Sequence, residues 1–348
     1  MSLPLKRRAA RGFTLIELMV ALVLGLVITG AALAVFMTNR QTYAATESLG
    51  RIQENARTGY ELMARDLREG AGNDCGNLSS QGQPVNQLKT PTANWYTDTT
   101  YGLIGYDNTV ATPGLAFGTT TGARVTGTDA IDLHNATGDG IPILPAVGAV
   151  TYAVDTLKLN TAAHGFTSGD VVAACDPGYV EVFQLTTATS ASATVEHKTS
   201  GGTPGNNSAG TYAFGCRQGN YDSSNKCDSS ATWPATLSKM VARRWYVGYN
   251  DHGTKSLFRT STTASGGVLS TRRDEIAEGV QNLQLTFLLD GGTTYDDPST
   301  LSTANWKNGD VVAMRIVMTI NDSDTSGTNR TQISRVVEHT VTFRNRTP

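Results

Sequence analysis

Between Phe13 and Met37 the only charged residue is Glu17. At about 1.5 Å per residue this run makes a helix of roughly 37 Å, enough to cross a hydrocarbon core with some tilt. A lone carboxylate at that depth costs on the order of a few kcal/mol and marks a functional position. Proteolysis would supply its partner. If the bond between Gly12 and Phe13 is cut, the new amino group lies four residues before Glu17, one helical turn away, and becomes the missing cation. Lys6, Arg7, Arg8 and Arg11 precede the run, and Arg40 and Arg51 follow it singly. That asymmetry holds the start in the cytoplasm and exports the remainder. A secretory signal or plain anchor is the simpler alternative, but an ordinary secretory signal is cut after its apolar stretch, not ahead of it.

Other chemistry is hard to assemble from the residues. There is no Gly-x-Ser-x-Gly elbow, Walker loop or His-Glu-x-x-His. His134, His164, His197, His252 and His339 are scattered over expected strands and turns, where structural roles suit them. Asp322, Asp324, Ser326 and Gly327 match the first half of a calcium loop, but Ile333 stands where its bidentate glutamate belongs. A polar hairpin turn accounts for them better, so no metal, cofactor or enzymatic activity is expected.

Cys75, Cys175, Cys216 and Cys227 all follow the apolar run, in the compartment where disulfides persist. The short polar interval favours a Cys216–Cys227 bridge, which leaves Cys75 with Cys175 to tie the helix exit to a strand. Free thiols are the alternative, and no spacing suits zinc. Trp95, Tyr96, Tyr101, Trp233 and Trp306 offer a sugar- or surface-binding platform, although loop aromatics more often cap a core.

These residues need elements to hold them. Leu49, Ile52, Ala56, Tyr60, Met63 and Leu67 recur every three or four residues, interleaved with Arg51, Glu54, Arg57, Glu61, Arg65, Asp66 and Arg68. This predicts an amphipathic continuation of the helix, ended by Gly70 and Gly72, for a total length of roughly 85 Å. Beyond it the chain is rich in Gly, Thr, Ser and Asn. Strands are expected at Ala130–His134, Asp170–Cys175, Tyr179–Leu185, Ala193–His197, Val241–Tyr249, Ser256–Thr260, Asn282–Leu289, Val311–Ile320 and Arg335–Arg344. The last three alternate in polarity and should pair antiparallel with one face under the helix. Gly169-Asp-Val-Val-Ala173 and Gly309-Asp-Val-Val-Ala313 each read as a turn feeding a strand. Residues 73–128 and 199–211 read as exposed loops, and a boundary near 200–235 is weak. The formal net charge is -2, with no basic run outside the leader, so nucleic acid is not an expected partner.

Gly12-Phe-Thr-Leu-Ile-Glu-Leu18, after a basic leader and before an apolar run, resembles the type III signal of type IV prepilins and pseudopilins. The resemblance implies cleavage between Gly12 and Phe13 by a prepilin peptidase, methylation of the Phe13 nitrogen, and a role for Glu17 in docking subunits against a neighbour's amine. Major pilins usually have a proline where this chain has Ala34; Gly25 and Gly30 are expected to weaken the helix instead, by up to about 1 kcal/mol each. Residues 50–72, Asp170–Leu185, "RRWYVGYN" at Arg243, "EIAEGVQNLQLTF" at Glu275 and "RVVEHTVTFRNR" at Arg335 resemble the PilW family of minor pilins. Residues 78–128 match nothing in that family.

The expected fold is α+β: a long N-terminal α-helix, transmembrane in its first half, packed on an elaborated antiparallel β-rich head. Its parts are a cleaved leader (1–12), a transmembrane segment (13–37), an amphipathic continuation (38–72) and a periplasmic or extracellular head (73–348). The family implies a non-enzymatic minor pilin that helps prime pilus assembly near the tip and supports twitching and adhesion. Its implied partners are other minor pilins, the major pilin, the peptidase, an inner-membrane assembly platform and, before assembly, membrane lipid. A type II secretion pseudopilin and a tip adhesin with its own ligand are the alternatives.

Overall fold

The computed structural model describes residues 12–70, 72–73, 76–77, 84–147, 154–177, 179–208, 213–216, 227, 232–322 and 331–343. Two compact units result, residues 1–51 with 322–333, and residues 52–321 with 334–348. Helix α1 (Leu15–Glu69) contributes to both.

In the first unit α1 continues unbroken through Gly25 and Gly30. The weakness expected at these glycines does not become a break. A Cβ added at either meets nothing within 4 Å, so neither is small for want of space. The Thr29 hydroxyl donates to the Gly25 carbonyl at 2.8 Å and that of Thr38 to Ala34 at 3.0 Å, so these polar groups are satisfied inside the helix. Near the C-terminal end of this stretch Arg51 pairs with Asp322 at 3.2 Å. Asp324, Ser326 and Gly327 lie outside the described residues.

The second unit is the head. Two short strands, β1 (Gly72–Asn73) and β2 (Gly76–Asn77), pair after α1. The larger sheet holds β3 (Val85–Asn86), β4 (Leu103–Tyr106), β5 (Ala130–Pro142), β7 (Val171–Asp176), β8 (Tyr179–Gln184), β10 (Thr236–Tyr249), β11 (Lys255–Ser265) and β12 (Val268–Glu278). Strand β10 is its hub: β11 and β7 pair along it, β5 pairs with it too, and β4 lies beyond β5. Every pairing is antiparallel except β3 with β8. A small sheet of β6 (Thr156–Lys158) and β9 (Thr194–Glu196) shares a core with Val172, Phe183 and Leu237. The second sheet is antiparallel, in the order β14 (Tyr295–Asp296), β13 (Val280–Leu289), β15 (Val311–Asn321), β16 (Ser334–Thr342), with α2 (Thr303–Asn308) before β15. The last three long strands are neighbours as expected, and β15 and β16 close at Asn321 opposite Ser334.

Both recurrent Gly-Asp-Val-Val-Ala segments feed strands, β7 and β15. Gly169 (φ 99°) and Gly309 (φ 80°) take the left-handed conformation that glycine adopts at little cost. Gly309 also ends α2, donating its amide to the Asn305 carbonyl.

The amphipathic half of α1 seats on this unit along Ile52, Ala56, Met63, Ala64 and Leu67. Gly59 lets it approach closely, since a Cβ there would lie 3.1 Å from Leu257 and 3.6 Å from Ala277. Tyr60 stacks on His339 of β16 at 3.8 Å. One expectation is corrected: Asp66, read as a solvated member of the polar face, is fully buried. It sits on the stripe three residues after Met63. The Trp245 indole donates to its Oδ2 at 3.1 Å, and Arg243 and Arg259 approach at 3.5 and 3.8 Å. Burial pushes the carboxyl upward while the two guanidinium groups oppose it.

Residues 84–128 also differ from the exposed loop expected. Arg124 is fully buried and donates to the carbonyls of Tyr106, Asp107, Val110 and Thr128 and to the Thr112 hydroxyl. Burial lowers its pKa to about 10. One guanidinium thus organises a segment with little regular structure, because its five N–H donors satisfy backbone acceptors that would otherwise be buried unpaired.

Replacing Asp66 should therefore loosen the helix from its seat. Asp66→Asn keeps an acceptor for Trp245 but leaves Arg243 and Arg259 without its charge, and should cost about 1–3 kcal/mol. Asp66→Ala should cost more, because the indole N–H loses its acceptor. Thermal unfolding of the full chain in micelles measures both.

Candidate functional site

Gly12 and Phe13 precede α1, and Phe13 is 86% exposed. The Gly12–Phe13 bond lies outside regular structure. Thr14 stands immediately before the helix and Glu17 is its third residue. The Thr14 amide donates to Glu17 Oε2 at 3.2 Å, the Thr14 hydroxyl donates to the same oxygen at 3.1 Å, and the Glu17 amide approaches the Thr14 hydroxyl oxygen at 3.3 Å. This is a reciprocal capping box, which satisfies amides that begin a helix without intrahelical partners. The carboxylate's position also favours the positive end of the helix dipole. The sequence reading included Thr14 in the N-terminal signal but missed its capping role, although Thr-Leu-Ile-Glu before an apolar run is the signature of one.

From Leu18 to Met37 the helix surface is uncharged and mostly apolar. Leu15, Leu22, Leu26, Ile28, Leu33 and Phe36 are each more than 60% exposed. An apolar window of mean hydropathy 2.7 with none of its surface buried belongs in lipid or against other helices.

Two family models match the sequence. The prokaryotic N-terminal methylation motif covers residues 7–33, and the type IV pilus-assembly protein W model covers residues 244–347. Together the two matches support a PilW-like type IV pilin. No curated protein matches it. The second match runs from β10 to the C-terminal strand, so it contains nearly all of "RRWYVGYN" and both later segments; residues 50–72 and 170–185 lie outside it.

The remaining candidate residues are dispersed. Cys216 and Cys227 form the expected disulfide, with their Cα atoms 5.4 Å apart. Cys175 is disulfide-bonded too, while Cys75 lies outside the described residues. His134, His164 and His197 are buried, and the first two have backbone partners. His197 packs on Phe183, and burial lowers its pKa to about 4. The five loop aromatics do not form one platform. Trp306 is buried against Phe287 and Tyr96 packs beside the Leu88 cluster, whereas Trp95 and Tyr101 line a single pocket. Trp233 lies near the disulfide, its amide bonded to the Gly215 carbonyl.

Among the described residues no cluster of His, Cys, Asp or Glu could hold a metal ion. Asp129 is a buried carboxyl whose Oδ2 accepts from the Leu285 amide at 2.6 Å and whose Oδ1 has no hydrogen-bond partner. Burial, reinforced by Asp297 and Asp107, pushes it up to about 7.

Two outcomes follow for these residues. Thr14→Val should fray the first turn by about 0.5–2 kcal/mol while Thr14→Ser retains it, measured as amide hydrogen exchange at residues 15–18 in micelles. Asp129 has a folded pKa above its unfolded value, so its stabilisation is complete below about pH 4 and is lost as pH rises through 7. Asp129→Asn should flatten that part of the Tm–pH profile and raise Tm at pH 8.

Proposed function

We propose that this chain is a non-enzymatic minor pilin of a type IV pilus. It is inserted in the inner membrane with a cytoplasmic N-terminus and periplasmic head, cut between Gly12 and Phe13 by a prepilin peptidase, and methylated on the Phe13 nitrogen. It then joins other minor pilins and the major pilin at an inner-membrane assembly platform. There it helps prime the filament and stays near the tip, in support of twitching and adhesion. The Cys216–Cys227 bridge and the buried seat of α1 suit a head that must survive export and mechanical load.

The observation that carries this reading is the single carboxylate at the start of the otherwise uncharged, exposed first half of α1. Its recorded partners are neutral groups of Thr14. In an apolar medium a carboxylate gains much more from a cation than from neutral donors. The amine of a neighbouring processed subunit supplies one, so assembly would neutralise two charges that are costly apart.

The test pairs two substitutions in the native host. Gly12→Leu should leave an uncut, membrane-held precursor. Glu17→Ala should be cut and inserted normally but enter pili poorly. A mature-sized Gly12→Leu product, or normal incorporation of Glu17→Ala, would overturn the respective assignment. Deletion of the gene should abolish piliation and twitching; loss of protein secretion instead would mark a type II pseudopilin.

A further inference from the structure

The geometry points to a binding site for a single neutral sugar residue in the head, formed by Trp95, Asp98, Tyr101 and Tyr106. It lies in a pocket of about 240 Å³ between the segment around residues 92–101, strand β4 and the turn at Pro113–Gly114. That is below the roughly 300–1,000 Å³ of sites for drug-sized ligands. It suits one pyranose ring and is too small for a nucleotide or a folded peptide segment.

The aromatic walls are held from beneath. The Arg244 guanidinium lies 4.3 Å from the Trp95 ring centre and 6.0 Å from that of Tyr106. Asp132 clamps its Nε and Nη2 through two hydrogen bonds of 2.6 Å, and Nη1 donates to the Pro113 carbonyl. His134 places Nε2 2.9 Å from the Trp95 carbonyl and Nδ1 3.0 Å from the Tyr101 carbonyl; burial favours the neutral ring, whose single N–H donates to one of them and ties the wall segment to β5. Preformed walls reduce the ordering cost of binding.

The polar inventory selects the ligand. Arg244 and Asp132 neutralise each other, and every nitrogen of Arg244 is committed, so no cation is left to receive an anionic ligand. Asp98 uses Oδ1 to accept the Thr100 amide at 3.1 Å, and Oδ2 is uncommitted. The Tyr101 hydroxyl has no partner among the described residues. A carboxylate acceptor and a phenol donor beside half-buried aromatic rings match a sugar, with C–H faces to lie on the rings and hydroxyls to donate and accept at the edge. The site is independent of pilus assembly and of every residue assigned to processing or docking.

Saturation-transfer NMR on the full chain tests the site in a polyoxyethylene detergent, which carries no sugar headgroup. The probes are the methyl glycosides of glucose, galactose, mannose and N-acetylglucosamine, with tetramethylammonium as the cationic rival. At least one glycoside should bind, with its Kd raised tenfold or more by Trp95→Ala and by Asp98→Asn while circular dichroism is unchanged. Asp98→Asn replaces one half-exposed carboxylate and should not disturb the fold. Binding that survives it unchanged, saturation transfer from no glycoside, or binding of tetramethylammonium alone would each overturn the proposal.

Discussion

The head depends on the two-residue period of one strand. Along β10, Arg243, Trp245 and Val247 point to one face of the sheet, and Arg244, Tyr246 and Gly248 point to the other. The first set meets α1, where Asp66 accepts from Trp245 and lies beside Arg243. The second meets residues 92–124, where Arg244 is clamped by Asp132, its direct cross-strand partner in β5. Both faces are buried, so both arginines must find carboxylates inside the protein. A register slip of one residue would exchange the faces and strand four charged groups away from their partners.

That arrangement explains why the helix and the 84–128 segment belong to one folding unit although they touch opposite sides of the sheet. Hydrophobic contact alone is tolerant of small shifts. Bidentate and indole hydrogen bonds to buried carboxylates are not, because each requires its own angle and distance. Trp245 and Arg244 are adjacent in sequence, so anchoring either face fixes the strand for the other. Arg124 extends the same logic to the least regular part of the head, substituting one side chain for the ladder of a missing strand.

What the sequence made legible follows from the range of the interactions. The N-terminal signal is local, a matter of residue types within one turn of Gly12, and could be read directly. Strands with alternating apolar residues, such as β13 and β15, were equally plain. Strand β12 was missed because Thr271-Arg-Arg-Asp-Glu275 looks like a solvated loop; it is an edge strand, where charges discourage pairing with other chains. Asp66 was assigned to the wrong face because its partners, on β10 and β11, lie far along the chain. The same holds for Arg124 and for the pocket residues: each has a meaning only through a contact that no local pattern announces.

Glu17 joins the two kinds of interaction. Both bonds that its side chain receives from Thr14 fall on Oε2, and a carboxylate has about four acceptor positions. Among the described residues Oε1 has no hydrogen-bond partner, so it can receive a cation while the capping box stays closed. The proposed docking then needs no rearrangement of the helix start. The cap restrains the side chain in one rotamer, which lowers the entropy lost when a neighbour's amine arrives. In that proposal Thr14 is a positioning residue for Glu17. A chain that kept the carboxylate but lost the threonine would bear the right charge on a side chain free to point elsewhere.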